Sequence, residues 1–262
     1  MTFAHVYVLS AEYLSTMTIS SISHSPIQNG LIAALPPADY DRMLPHLELV
    51  PMPLGWIVYE IGSAQAYAYF PTTSVMSMQR PCESGSSAEI AVTGNEGMLG
   101  FTLLMGSETS SNRVVVRGSG YAYRVRSDFM KSEFDQASSL QHSLMRYGRA
   151  LITQMAQTAA CNRYHTIEQR FCTWLLANAD RLPLNELKAT HESIASLLSV
   201  RREGITEAVG RLQTSGAIHS MRGKIMLIDR VRIEHLACEC YGVVKTELQR
   251  LLPRPYTEAF SF

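Results

Sequence analysis

The sequence predicts an α+β protein in two parts, a strand-rich N-terminal half and a helical C-terminal half ending in a helix-turn-helix and a basic hairpin. Three observations carry that expectation. Short runs rich in β-branched and aromatic residues crowd residues 55–126, separated by Gly, Pro and Asn. After Asp128 the texture changes, and residues 132–178 hold no Pro and a single Gly, Gly148. Charge divides along the same line. Residues 1–137 hold 7 Lys+Arg against 12 Asp+Glu, a net of −5, and residues 138–262 hold 16 against 11, a net of +5. A basic half suits a polyanionic partner, although so small an excess also fits plain scatter.

Residues 1–29, rich in Ser, Thr and Ile without periodicity, read as a flexible leader, with Met17 as an alternative start. Pro36-Pro37 opens a short helix expected over 36–45. Strands follow at 55–61, 66–70, 74–80, 87–93, 113–117 and 120–126, with turn signals at Gly62, Pro71, Pro81, Gly85, Gly94-Asn95 and Gly118. Such spacing indicates a sandwich or barrel. Next, Leu140, Leu144, Tyr147, Leu151 and Met155 recur at three- and four-residue steps. They mark a long helix with one narrow apolar stripe, suited to a seam with a second copy. The plainer alternative packs that stripe on the chain's own strand domain. A second helix over 167–182 gathers Phe171, Trp174, Leu175 and Leu176 on one side, and Pro183 stops it.

Residues 190–213 carry the strongest functional signal. Thr190 can cap a helix over 191–198, with Glu192 in its first turn. Ile194, Ala195 and Leu198 face inward; Ala195 is small enough for a steep helix crossing, and Ser199-Val200 makes the turn. A second helix over 201–213 turns Ile205, Ala208, Val209 and Leu212 inward, and Arg201, Arg202, Glu203, Thr206, Glu207 and Arg211 outward. A helix in the major groove needs such side chains. Arg202 suits bidentate pairing with guanine, Glu203 can accept from cytosine N4, and Arg201 or Arg211 can hold phosphate. Residues 216–230 read as a hairpin whose Arg222-Gly223-Lys224 tip would touch backbone phosphate. With Thr190 and His191 at the motif's start, these are the expected DNA-contacting residues. The blander alternative is a helical hairpin with a solvated face.

Other classes find little support. No apolar run approaches the length of a membrane-spanning helix, and the N-terminus lacks the basic region of a secretory signal, so a cytoplasmic protein is expected. Five widely spaced cysteines (Cys82, Cys161, Cys172, Cys238, Cys240) argue against a disulfide framework. Cys238 and Cys240 lack CxxC spacing and have no second pair or His cluster near them in sequence, so neither metal nor cofactor is expected. There is no Gly-rich phosphate loop, HExxH or GxSxG, and an enzyme is not expected.

The order of strand domain, long helix and winged helix-turn-helix resembles the cyclic-AMP receptor protein/fumarate-nitrate regulator (Crp/Fnr) family. The resemblance is strongest in THESIASLLSVRREGITEAVGRLQTSGAI, where Arg202-Glu203 sit at the family's Arg-Glu opening of the recognition helix, and in HTIEQRFCTWLL at 165–176. It implies a β-roll of cupin-like, cyclic-nucleotide-binding-like form over 30–137, a dimerisation helix over 138–166, a winged helix-turn-helix over 167–252, and a tail over 253–262. It also implies a homodimeric transcription regulator on a pseudo-palindromic operator, with double-stranded DNA and a second copy as partners and RNA polymerase as a further candidate. Three departures stand out. Gly100 matches the family's effector site, but Phe101 replaces its Glu, and Arg113 lies between Asn112 and Val114 rather than before a Ser. Gly100, Asn112 and Arg113 thus remain as candidate effector contacts, and a response to cyclic AMP is not expected. No cysteine precedes Cys82, which excludes the family's N-terminal iron–sulfur cluster from these residues. Glu207 stands where many members carry Arg, so a different operator is expected. Two alternatives stay open: a receptor in which the roll is chiefly a ligand-binding module, and a roll that binds nothing, with regulation through abundance or thiol chemistry at Cys161.

Overall fold

In a computed structural model, residues 24–83, 85–136, 139–182 and 186–251 are described. The expected leader up to residue 23 and the tail beyond residue 251 lie outside them. Residues 24–29 belong to the folded body instead. Asn29 is fully buried; its Oδ1 caps α1 (Gly30–Ala33), and its Nδ2 donates to Pro71 O at 2.9 Å and Gly97 O at 2.8 Å. Burying a carboxamide is tolerable here because each of its groups has a partner.

After α2 (Pro37–Met43) come seven strands: β1 (Glu48–Met52), β2 (Ile57–Tyr59), β3 (Tyr67–Pro71), β4 (Val75–Pro81), β5 (Ser87–Thr93), β6 (Arg113–Gly118) and β7 (Gly120–Arg126). They form two antiparallel sheets, β1-β7-β3 and β2-β6-β4-β5. All six sequence-predicted strands are present, with ends shifted by at most two residues. The seventh, β1, carries Pro51 and escapes a propensity reading. Met52, Tyr59, Tyr69, Met76, Leu99, Val114 and Val116 fill the space inside the roll.

Helix α3 (Ser127–Asp135) leads to α4 (Ser139–Tyr164), whose 26 residues form the longest element. Its stripe does not point away from the chain. Leu140, Leu144 and Tyr147 are buried against Phe70, Met98, Phe101 and Val125 of the roll. The plainer alternative therefore holds for Leu140, Leu144 and Tyr147, and the expectation that these three form a seam is corrected. The reason is that periodicity reports which side is apolar but not what covers it. Among the α4 apolar side chains left open are Met145 and Ile152, seven residues apart, at 57% and 63% exposure.

The C-terminal part comprises α5 (Ile167–Ala179), β8 (Glu186–Lys188), α6 (His191–Leu197), α7 (Arg202–Thr214), β9 (Ile218–Met221), β10 (Lys224–Leu227), α8 (Arg230–Leu236) and α9 (Glu239–Leu251). Phe171, Leu175, Leu176, Ile194, Ile205, Leu212, Ile225 and Ile233 form its core. Helix α9 returns antiparallel along α4, with Arg149 paired to Glu247 at 2.5 Å and Arg146 Nη2 donating to Arg250 O at 2.6 Å. Several contacts join this part to the roll, two of them polar and specific. Arg181 meets Glu96 at 2.7 Å with both side chains at least nine-tenths buried, and Ser196 Oγ on α6 lies 3.4 Å from Ser87 O on β5.

Candidate nucleic-acid interface

Helices α6 and α7 form where the sequence places them, within a residue at each end. Thr190 and Ser193 make a reciprocal capping box: Ser193 N donates to Thr190 Oγ1 at 3.1 Å, and Thr190 N to Ser193 Oγ at 3.0 Å. Thr190 and His191 are thereby engaged in holding the motif. His191 Nδ1 sits 3.1 Å from Thr206 Oγ1, fastening the start of α6 to α7. Between the helices, Ser199 has φ of 51°, and Val200 N donates to Ala195 O at 2.9 Å. Ile194, Ala195, Leu197 and Leu198 from α6 and its cap meet Ile205, Ala208, Val209 and Leu212 of α7, all buried. At 25 cal/mol per Å² or so, that buried apolar face is what holds α7 in place.

The outward side of α7 is exposed at Arg201, Arg202, Glu203, Thr206, Glu207 and Arg211. These residues differ in freedom. Among the described residues, Arg201 and Glu203 have no ion-pair partner. Arg202 has a loose contact with Glu192 at 3.9 Å. Arg211, expected as a phosphate holder, is instead bonded to Glu168 of α5, which raises its guanidinium pKa further, with Glu207 at 3.9 Å adding to it. Sequence could not show this, since Glu168 is 43 residues away.

The hairpin is also present: β9 and β10 pair antiparallel, with Gly223 at φ 70° in the turn, and β8 adds a third strand that the sequence reading missed. Arg222 is exposed at the tip without an ion-pair partner among the described residues. Lys224 turns back to Glu186 on β8 at 3.0 Å, so the tip offers one free cation rather than two.

The candidate effector contacts look different. Gly100 holds φ of 90°, and a Cβ there would come 2.9 Å from the Tyr59 hydroxyl, so both conformation and space require glycine. Phe101 is buried edge-on to Tyr147, 6.2 Å between centroids, in the room left by Gly148 on α4. Arg113 does not wait for an anion. Its Nε donates to both oxygens of Glu60, at 3.1 and 2.9 Å, and the pair holds the Glu60 carboxyl below its usual range. Asn112 Nδ2 spends its donors on Met78 Sδ and Ser111 Oγ. A cavity of about 840 Å³ lies elsewhere, where β5, α4, α5 and α9 meet, with Glu89, Glu96, Trp174 and Arg181 in its wall. Among the described residues, no helix is long and apolar enough to cross a membrane.

Residues 169–236 match the Crp-like helix-turn-helix domain. No curated protein sequence matches the chain. Among solved structures, a protein of Eubacterium rectale assigned to the Crp/Fnr family of transcriptional regulators superposes with a TM-score of 0.64 at 18% identity, covering 80% of this chain and 98% of that one. FixK2 of Bradyrhizobium japonicum gives 0.61 at 16%, covering 73% and 98%. A c-di-GMP-responsive global regulator of Xanthomonas campestris gives 0.59 at 15%, covering 73% and 98%. At such identities the likeness is one of fold.

Proposed function

We propose that the chain, which carries a Crp-like helix-turn-helix match over residues 169–236 on a fold similar to that of Crp/Fnr regulators, is a sequence-specific transcription regulator binding a pseudo-palindromic operator as a homodimer. One observation carries the reading: α7 is anchored by a buried apolar side while Arg201, Arg202 and Glu203 at its N-terminal end stand exposed, with Arg222 at the hairpin tip. The start of a recognition helix is the part that meets base edges, and a hairpin cation suits phosphate. The exposed Met145 and Ile152 on α4 support pairing of two copies along that helix, which would set half-sites about one helical turn apart. Selection of fragments from a random duplex pool at low salt tests it. A palindromic motif supports the reading, and indifference to every duplex sinks it. Arg202→Ala should lose about 1–3 kcal/mol on the selected site and relax one base position; equal weakening on random DNA would reduce Arg202 to a phosphate contact.

A second reading adds an effector. It is supported by the cavity between roll and helices, into which Arg170 and Arg181 project, and each carries one buried guanidinium nitrogen without a partner among the described residues. The Phe101 and Arg113 arrangement disfavours cyclic AMP in the roll, so calorimetry with cyclic AMP should show no heat. Binding there would overturn the assignment of that site as closed.

A further inference from the structure

We propose that Cys161, His165, Cys238 and Cys240 form a binding site for a single thiophilic divalent cation of the zinc class, where α4, α5 and the α8–α9 corner meet. Sequence spacing hides the site, because its two halves lie about 75 residues apart. The expectation of no second pair or His cluster near Cys238 and Cys240 is drawn from sequence and fails in space. The last turn of α4 carries Cys161, and His165 follows just beyond it. The corner between α8 and α9 brings Cys238 and Cys240 against them.

Geometry carries the proposal. The four ligand atoms all lie within 4.8 Å of one another. Cys161 Sγ and Cys238 Sγ are 3.4 Å apart, and Cys240 Sγ is 3.6 Å from His165 Nδ1. A tetrahedron around zinc with bonds of about 2.3 Å has edges of about 3.8 Å, so the atoms stand near the spacing one ion imposes. Three thiols and an imidazole are a ligand set of closed structural zinc sites. An iron–sulfur cluster would place its own iron and sulfide between the thiolates and needs a wider cage. A disulfide needs sulfurs about 2.05 Å apart, which Cys161 and Cys238 do not reach, and both thiols are free.

The surroundings fit the same chemistry. His165 turns Nδ1 to the thiols and Nε2 to Glu239, 3.2 Å from Oε1, which is the carboxylate–histidine–metal order that fixes a ligating tautomer. Thr173 Oγ1 lies 3.1 Å from Cys238 Sγ and can donate to a thiolate there. Three thiolates around a dication leave one net negative charge. Arg170, buried and within electrostatic reach of Cys161 and Cys238, supplies the balancing cation. The cavity described above reaches Cys161 and Cys240, giving an ion a route inward. Plain core packing asks for none of these partners. Cys172 shows the contrast: it is fully buried in the C-terminal core and lies outside the group.

Binding would exchange the thiol protons for the ion and staple α4 to the α8–α9 corner. This site stands on its own whether or not the duplex reading holds, and its test does not use DNA. Full-length protein, purified under reductant without chelator, should carry one zinc per chain by elemental analysis. Cobalt(II) added to stripped protein should develop the sulfur-to-cobalt charge-transfer and intense ligand-field bands of a tetrahedral site, saturating at one equivalent. Cys240→Ser and His165→Asn should each weaken cobalt uptake strongly, Glu239→Gln by about 10–100-fold, and Cys172→Ala not at all. A folded wild-type chain with reduced thiols that takes up neither metal would overturn the proposal. So would acid-labile sulfide with the bound metal, or uptake unchanged in the Cys240→Ser/His165→Asn double variant.

Discussion

The turn at Gly100 and the outer face of α7 are both places where the sequence leads one to expect a ligand, and the chain treats them in opposite ways. Around Gly100 the protein satisfies its own groups: Phe101 fills the space beside Gly148, and Glu60 neutralises Arg113. On α7 it leaves charges open, with Arg201 and Glu203 exposed and, among the described residues, unpaired. An exposed charge awaiting a polyanion costs the fold little, since water solvates it. An apolar space left empty beside Gly148 would cost more, and Phe101 fills it. Residue identity alone therefore does not mark a live site; what matters is whether a group has already spent its interactions at home.

The largest test strikes the joint between the two regions. Arg181→Met leaves the Glu96 carboxylate buried without its cation and should cost about 3–5 kcal/mol. If the roll and the C-terminal part form one cooperative unit, a single unfolding transition should move as a whole. A shift confined to one of two transitions would break the comparison into independent halves. Gly148→Val comes next. The added methyls meet the Phe101 ring, and thermal unfolding should report a loss of about 1–3 kcal/mol. Duplex affinity per folded molecule should stay level, because the closed region is remote from the open one in role. The smallest effect belongs to Arg222→Ala. Loss of one phosphate contact should lower the slope of log K against log salt by about one and weaken specific and random duplexes alike. An unchanged slope would show that the hairpin tip stays clear of DNA.

Much of this was legible in sequence where local periodicity speaks. Runs of β-branched and aromatic residues between turn signals found β2 to β7, and the inward set of Ile205, Ala208, Val209 and Leu212 located α7 with its correct face. Short elements were not legible: α1 depends on Asn29 capping from the roll, and β8 is three residues long and gains its identity by pairing with β10. Partners distant in sequence were likewise invisible. Nothing near Arg211 announces Glu168, nothing near Lys224 announces Glu186, and the Cys161–His165 and Cys238–Cys240 pairs meet only through the packing of α9 on α4. Leu140, Leu144 and Tyr147 of α4 were read correctly as an apolar stripe and wrongly as facing another copy, because three-dimensional cover is decided by the roll.

Ser199 has a consequence of its own. It is the single non-glycine residue at positive φ among the described residues, at the bend joining α6 to α7. A left-handed serine holds that elbow at a local cost of about 1–2 kcal/mol, which the packed helices on either side must outweigh. Glycine would relax the elbow but also free the unfolded chain, so the two effects oppose each other. A β-branched residue would push the bend open and swing the far arm off its bearing. The relative aim of α6 and α7 thus rests on the backbone of one residue between them.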